Sequence, residues 1–117
     1  MDIQYVENVL KFELKLTEEE VKLFILLVYN GRINITRIAK MLSWPITHAD
    51  NTAKLLVQKG MIIDITKTDY QSLHPRFAIV NRYKKRCLEE NIIFRRNVSL
   101  DNIAIFLEGP YDDPKTK

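Results

Sequence analysis

The sharpest constraint on this chain is a change of period at Gly60. Before it, Ala49, Thr52, Ala53 and Leu56 recur at the spacing of one helix face. After it, residues 61–66 read Met-Ile-Ile-Asp-Ile-Thr, a β-branched run that favours an extended strand. A glycine at the junction closes the helix. The polar Lys67-Thr68-Asp69 and the following Tyr70-Gln71-Ser72-Leu73 turn the strand into a short hairpin, which Pro75 ends. A helix that feeds directly into so small a hairpin is compatible with few architectures.

Upstream, Ile3, Val6, Leu10 and Leu14 lie at helical spacing and predict a first amphipathic helix. Thr17-Glu18-Glu19-Glu20 is a capping box, in which the Thr17 hydroxyl accepts from the Glu20 amide and the Glu20 carboxylate reaches back. The second helix it starts is apolar on nearly every side over residues 21–28, so it is expected to be buried all round and to stop near Asn30-Gly31. Asn34 caps a short third helix with Ile35, Ile38, Ala39 and Leu42 turned inward. A break follows at Ser43-Trp44-Pro45, and Pro45 suits the start of a fourth helix because a first-turn amide has no helical partner to lose. Beyond the hairpin, residues 76 to about 95 predict a long helix with Phe77, Val80, Cys87, Leu88 and Ile92 among its apolar positions. The last segment is open to two readings. Ser99 can cap a short helix through Leu100, Ile103, Ala104 and Leu107, or Ile103-Ala104-Ile105-Phe106 can form a strand. Gly109-Pro110 and the polar residues after them predict a disordered end.

Helix, helix, short turn, helix and two-stranded hairpin is the outline of a winged helix-turn-helix. The expected fold is mainly α with a small β-hairpin, a winged helix-turn-helix with extra N- and C-terminal helices. Residues 1–96 would form the DNA-binding domain with its flanking helices, and 97–117 a C-terminal extension. In such a fold the helix after the turn, about 46–59 here, enters the major groove, and the hairpin, about 61–73, is the wing.

Side-chain sorting within the fourth helix supports that use. Thr47, His48, Asn51, Lys54 and Gln58 share the face opposite the small buried stripe. Asn and Gln pair bidentately with adenine, hydroxyls serve either groove edge, and Lys54 suits a phosphate. Arg37 and Lys40 lie on the outer face of the third helix, where the first helix of the motif crosses the DNA backbone, and Lys67 sits at the hairpin tip. His48 beside phosphates would favour protonation and give binding some pH dependence. Trp44 is expected to pack and fix the turn, and His74 to pack or hydrogen-bond at the wing exit.

The net charge is only +3, but it is unevenly placed. Residues 1–20 carry two Lys against six Asp or Glu, residues 21–75 seven basic against three acidic, and residues 76–96 seven against two. A basic middle between acidic ends is either a phosphate footprint or a set of solvated helix faces. The cluster Arg82, Lys84, Lys85, Arg86 either extends that footprint or pairs with the acidic first helix of a partner subunit.

Residues 17–75 resemble the N-terminal DNA-binding domain of archaeal TrmB-type regulators. The matching stretches are Leu16-Thr17-Glu18-Glu19-Glu20-Val21-Lys22, Ile38-Ala39-Lys40, Trp44-Pro45-Ile46-Thr47 and Leu55-Leu56-Val57-Gln58-Lys59-Gly60-Met61-Ile62, with Tyr70 and Pro75 at the wing exit. The resemblance implies a DNA-binding transcriptional regulator. It departs from the family at the start of the recognition helix, where Ile46 and His48 replace basic residues and Asp50 sets a carboxylate near the phosphate path. The large effector-binding region of sugar-responsive members is not in this sequence, so no small-molecule effector is implied.

Other functions find little support. The sequence holds no Gly-rich phosphate loop, no G-x-S-x-G elbow and no His/Cys pair at catalytic or ligand spacing, so neither an enzyme, a metal site nor a cofactor is expected. The capping role accounts for Glu18 to Glu20. The longest apolar run, 23–29, is too short to span a bilayer, and the N-terminus lacks a basic region with an apolar signal core, which predicts a cytoplasmic protein with no membrane partner. The alternative to DNA binding is a winged-helix protein-docking module within a transcription or other assembly. A domain of this size buries only about two thirds of its unfolded surface, which predicts a homodimer held by the first and the long helix.

Overall fold

The computed structural model describes residues 1–113, which form six helices and a three-stranded antiparallel sheet in the order β1-β3-β2. Helix α1 (Ile3–Glu13) is capped by Asp2, which accepts from the Gln4 amide, and it turns into α2 through Lys15 in the left-handed region. At the start of α2 (Glu18–Asn30) both capping-box bonds form, Glu20 N to Thr17 Oγ1 at 3.1 Å and Thr17 N to Glu20 Oε1 at 2.9 Å. Val21, Leu23, Phe24, Leu27 and Val28 are buried, so α2 is the central helix that its continuous apolar run predicts.

A two-residue strand, β1 (Ile33–Asn34), precedes α3 (Ile35–Leu42), and Asn34 caps α3 by accepting from Arg37 N at 2.9 Å. Ser43 takes the left-handed conformation that ends α3, and the Trp44 amide closes back onto Ala39 O. Helix α4 (Ile46–Gln58) begins after Pro45 and buries the expected stripe of Ala49, Thr52, Ala53 and Leu56. Gly60, at φ +80°, turns the chain into β2 (Ile62–Asp64), which pairs with β3 (Asp69–Ser72). The third strand, β1, is too short to carry a periodic signal, and only its pairing of Ile33 with Tyr70 reveals it.

Helix α5 (Pro75–Glu89) is shorter than its sequence suggests and turns a different face inward. Of the expected apolar positions only Cys87 is buried; Ala78 and Ile79 do the packing instead, while Phe77 and Leu88 are 67% and 79% exposed. Asn91, at φ 54°, ends the helix in a Schellman arrangement, with Ile92 N donating to Cys87 O at 2.8 Å and Asn91 N to Leu88 O. The last segment is helical, not extended: α6 (Val98–Asp112) is capped by Asn97, not Ser99, and buries Leu100, Ile103, Ala104 and Leu107. It continues through Gly109 and Pro110, because a proline near the helix end removes one backbone hydrogen bond without opening the earlier turns. The segment from Gly109 to Asp112, expected to be disordered, is thus helical, and residues 114–117 lie outside the described residues.

Two buried charges join these elements. Lys59 Nζ lies 2.8 Å from both carboxylate oxygens of Glu20, whose side chain is 1% exposed, so the capping-box acid also anchors the end of α4 to the start of α2. Arg82 is buried and donates to Leu14 O at 2.8 Å and Lys15 O at 3.3 Å, satisfying carbonyls at the C-terminus of α1.

Candidate nucleic-acid interface

Thr47, His48, Asn51, Lys54 and Gln58 all emerge exposed on α4, opposite its buried stripe. Thr47, Asn51, Lys54 and Gln58 form the middle of that face. His48 lies at its edge, its ring 4.7 Å from Trp44 in an edge-on contact. Trp44 is half-buried against the core, so it holds both the turn and His48. The end of the face is fastened from beneath by the Glu20–Lys59 pair and from the side by Lys85, which donates to Gln58 O at 2.6 Å.

Arg37 and Lys40 are exposed on α3 and line an open cleft of about 500 Å³ with Asn34, Thr36, Thr68 and Asp69. The hairpin tip is tied to that cleft: Ile35 N donates to Thr68 O at 2.7 Å, and Arg32 Nε lies 2.8 Å from Asp69 Oδ2. The Arg32 hydrogen bond holds the Asp69 carboxyl below its ordinary range against a smaller opposing effect of desolvation. Lys67 is exposed within the tip. Thus the sequence-predicted residues fall into two neighbouring groups, one on α4 and one where α3 meets the wing.

The structure gives Asp50, whose carboxylate the sequence already sets near the phosphate path, two partners, and it brings in Tyr70, which the sequence does not place in the site. Asp50 Oδ2 lies 2.8 Å from Lys54 Nζ, and the Tyr70 hydroxyl, from β3, donates to Asp50 Oδ1 at 3.3 Å. The Asp50 hydrogen bond and then its charge raise the Lys54 ammonium above its usual value, and burial followed by the Asp50 charge raises the Tyr70 phenol. The i,i+4 spacing of Asp50 and Lys54 is a signal the sequence does contain; the link to Tyr70, twenty residues on, is not.

The basic cluster on α5 is not a single patch. Arg82 is buried inside the chain, Arg86 pairs with Glu90, and Lys84 lies over the Phe94 ring. His74 caps α5 through its Nδ1, which accepts from Arg76 N, and its Nε2 faces Glu108 at 3.4 Å, as expected of a residue that hydrogen-bonds at the wing exit. Among the described residues, no helix is long and apolar enough to cross a membrane.

Residues 10–84 match the family model described as the sugar-specific transcriptional regulator TrmB. The chain belongs to the TrmB family. The matched span encloses α2, the helix-turn-helix and the wing, and takes in the residues 17–75 on which the resemblance rests. This TrmB-family chain is also similar to a solved structure of TrmBL2, an archaeal chromatin protein described as showing a novel mode of DNA binding, with a TM-score of 0.63 and 18% sequence identity. The match covers 99% of this chain and 44% of that one, so the TrmB-family chain spans less than half the length of TrmBL2. At that identity the likeness establishes the fold, a winged helix with six helices and a small antiparallel sheet. No curated protein matches the sequence.

Proposed function

We propose that this TrmB-family chain is a sequence-specific, double-stranded-DNA-binding transcriptional regulator that lays α4 in the major groove. The observation that carries this reading is the sorting of α4, with four small or aliphatic residues buried and five polar ones exposed on the other side. Thr47, Asn51 and Gln58 offer hydroxyl and amide groups to base edges, which is how a helix distinguishes base pairs in that groove. Lys54, Arg37 and Lys40 serve phosphates, and Lys67 at the wing tip reaches the flanking backbone. That TrmBL2 is described as binding DNA supports the same assignment. In this reading residues 1–96 are the DNA-binding unit and its flanking helices, and the C-terminal segment after them closes the core of that unit through α6.

The active form is a homodimer in this proposal, but not through the first helix. Val6, Leu10 and Leu14 are covered within the chain, where α1 packs on α2 and α6. An apolar face left open lies on α5, where Phe77, Val80 and Leu88 line one exposed side with Phe94 beside them. An inverted-repeat site would ask such a dimer to set its two recognition helices about 34 Å apart.

Selection of duplexes from a randomised pool, followed by binding to the selected sequence over a salt series, tests the proposal. Enrichment of one motif with a steep inverse salt dependence is expected. Failure to enrich any sequence, together with stable capture of a protein partner, would replace it with the docking module.

A further inference from the structure

The helix that reads DNA in this proposal carries its own anion. Lys54 is the sole cation on the middle of the α4 face, and its ammonium is already 2.8 Å from the Asp50 carboxylate one turn earlier. The order of the pair, acid before base at i,i+4, is the favourable one for a helix. Asp50 is not a loose surface acid. Its side chain is one-third exposed, and Oδ1 takes the hydroxyl of Tyr70, whose ring is buried in β3. That bond fixes one oxygen toward the wing and leaves Oδ2 aimed at Lys54. A carboxylate and a DNA phosphate present the same kind of anionic oxygen to an ammonium, so they compete for it.

We infer that Asp50 is a positioning residue that holds Lys54 as an internal competitor of the DNA phosphate, so that a single module binds the backbone weakly. The inference rests on α4 being the DNA-contacting helix. Its physical basis is that sequence-independent affinity is largely counterion release, counted in phosphates neutralised. With Asp50 in place, bringing a phosphate to Lys54 breaks one ion pair for each one made and sets two anions side by side. The neutral readers Thr47, Asn51 and Gln58 are untouched by this competition. Binding then depends on base contacts, on the cations of α3 and the wing tip, or on a second copy. The raised Lys54 ammonium agrees with a pair that is formed in the free protein.

Anisotropy titrations of a mixed-sequence duplex over a salt series, with the full chain and its Asp50→Asn, Lys54→Ala and double variants, test the inference. Asn at position 50 keeps the shape and an oxygen for the Tyr70 hydroxyl, so the fold is retained and thermal melting checks it. Asp50→Asn is expected to bind roughly tenfold tighter near 0.1 M salt, with a salt slope steeper by about one. Lys54→Ala should change the slope little in the natural chain and lower it by about one in the Asp50→Asn background. A folded Asp50→Asn that binds no tighter, or a Lys54→Ala effect equal in both backgrounds, overturns the inference while leaving the DNA-binding reading intact. Absence of salt-dependent binding by all four proteins overturns both.

Discussion

At the scale of single residues, the exposed amides of α4 and the buried carboxylate that meets its C-terminal end make opposite demands. Asn51 is exposed at the centre of the reading face, so Asn51→Ala is expected to leave melting unchanged. Discrimination between a selected site and its point mutants should fall by roughly 1–3 kcal/mol at one position, the range for a lost bidentate base contact; unchanged discrimination removes Asn51 from the readers. Lys59 does the reverse. It answers the carboxylate of Glu20, which is 1% exposed, so Lys59→Met leaves a buried acid with only the Thr17 amide as a partner. A loss of about 3 kcal/mol in urea unfolding is expected, the lower end of the range for breaking a buried pair because Lys59 is itself partly reached by water. At the wing, Arg32 depresses the Asp69 carboxyl. A carboxyl lowered in the folded state contributes stability above its ordinary titration range and loses it as pH falls through the lowered value. An NMR titration of Asp69 should move upward in Arg32→Gln, and an unmoved midpoint would show that the ion pair does not set it.

Among the elements, the caps and turns that frame α4 are local devices with local costs. Asn34 supplies the α3 cap at 2.9 Å and pairs in β1 as well, so Asn34→Ala should lower stability by about 1 kcal/mol in denaturant unfolding. Gly60 sits at φ +80°, and an added Cβ would meet Asn81 Cβ at an ordinary 3.4 Å. Its substitution cost is therefore backbone strain, not a clash, and Gly60→Ala is expected to lose about 1–2 kcal/mol without displacing α5. Helix α6 shows where local signals mislead. Asn97 and Ser99 are both competent caps, and Asn97 is chosen in a setting where its amide also donates to Glu13 at 2.9 Å.

For the whole molecule, α6 and the open face of α5 decide between one chain and two. Leu100, Ile103 and Leu107 are buried in the same cluster as the winged elements. Removing them forfeits about 5–9 kcal/mol at roughly 1.5–3 kcal/mol per buried side chain, comparable with the entire stability of a small domain. A chain cut after Ile92 should therefore fail to fold cooperatively, and it is unsuited to testing the dimer. Leu88→Lys is suited, because Leu88 is 79% exposed in the single chain. Sedimentation equilibrium is expected to give a folded monomer for Leu88→Lys and a dimer for the natural chain; a natural chain that is itself monomeric at micromolar concentration sinks the proposed assembly.

Neighbours along the chain enforce the local devices of this fold. The Thr17–Glu20 box, the Asn34 cap, the buried stripe of α4 and the turn at Gly60 are each complete within a few residues, and with the motifs they frame they carry the winged fold and the polar face of α4. Whatever depends on residues far apart in the chain comes from packing. Phe77 and Leu88 read as apolar positions of the long helix and stand exposed, because Ala78 and Ile79 are the residues that meet α6 and the core. Arg82 reads as part of a basic patch and lies buried, because the carbonyls ending α1 converge on it from nearly seventy residues away. Asp50 reads as an acid one turn before Lys54 on a reading helix, and only the packing of β3 beside α4 brings Tyr70 to fix it there. Periodicity reports which face of an element is apolar; it carries no information on which other element arrives to cover it.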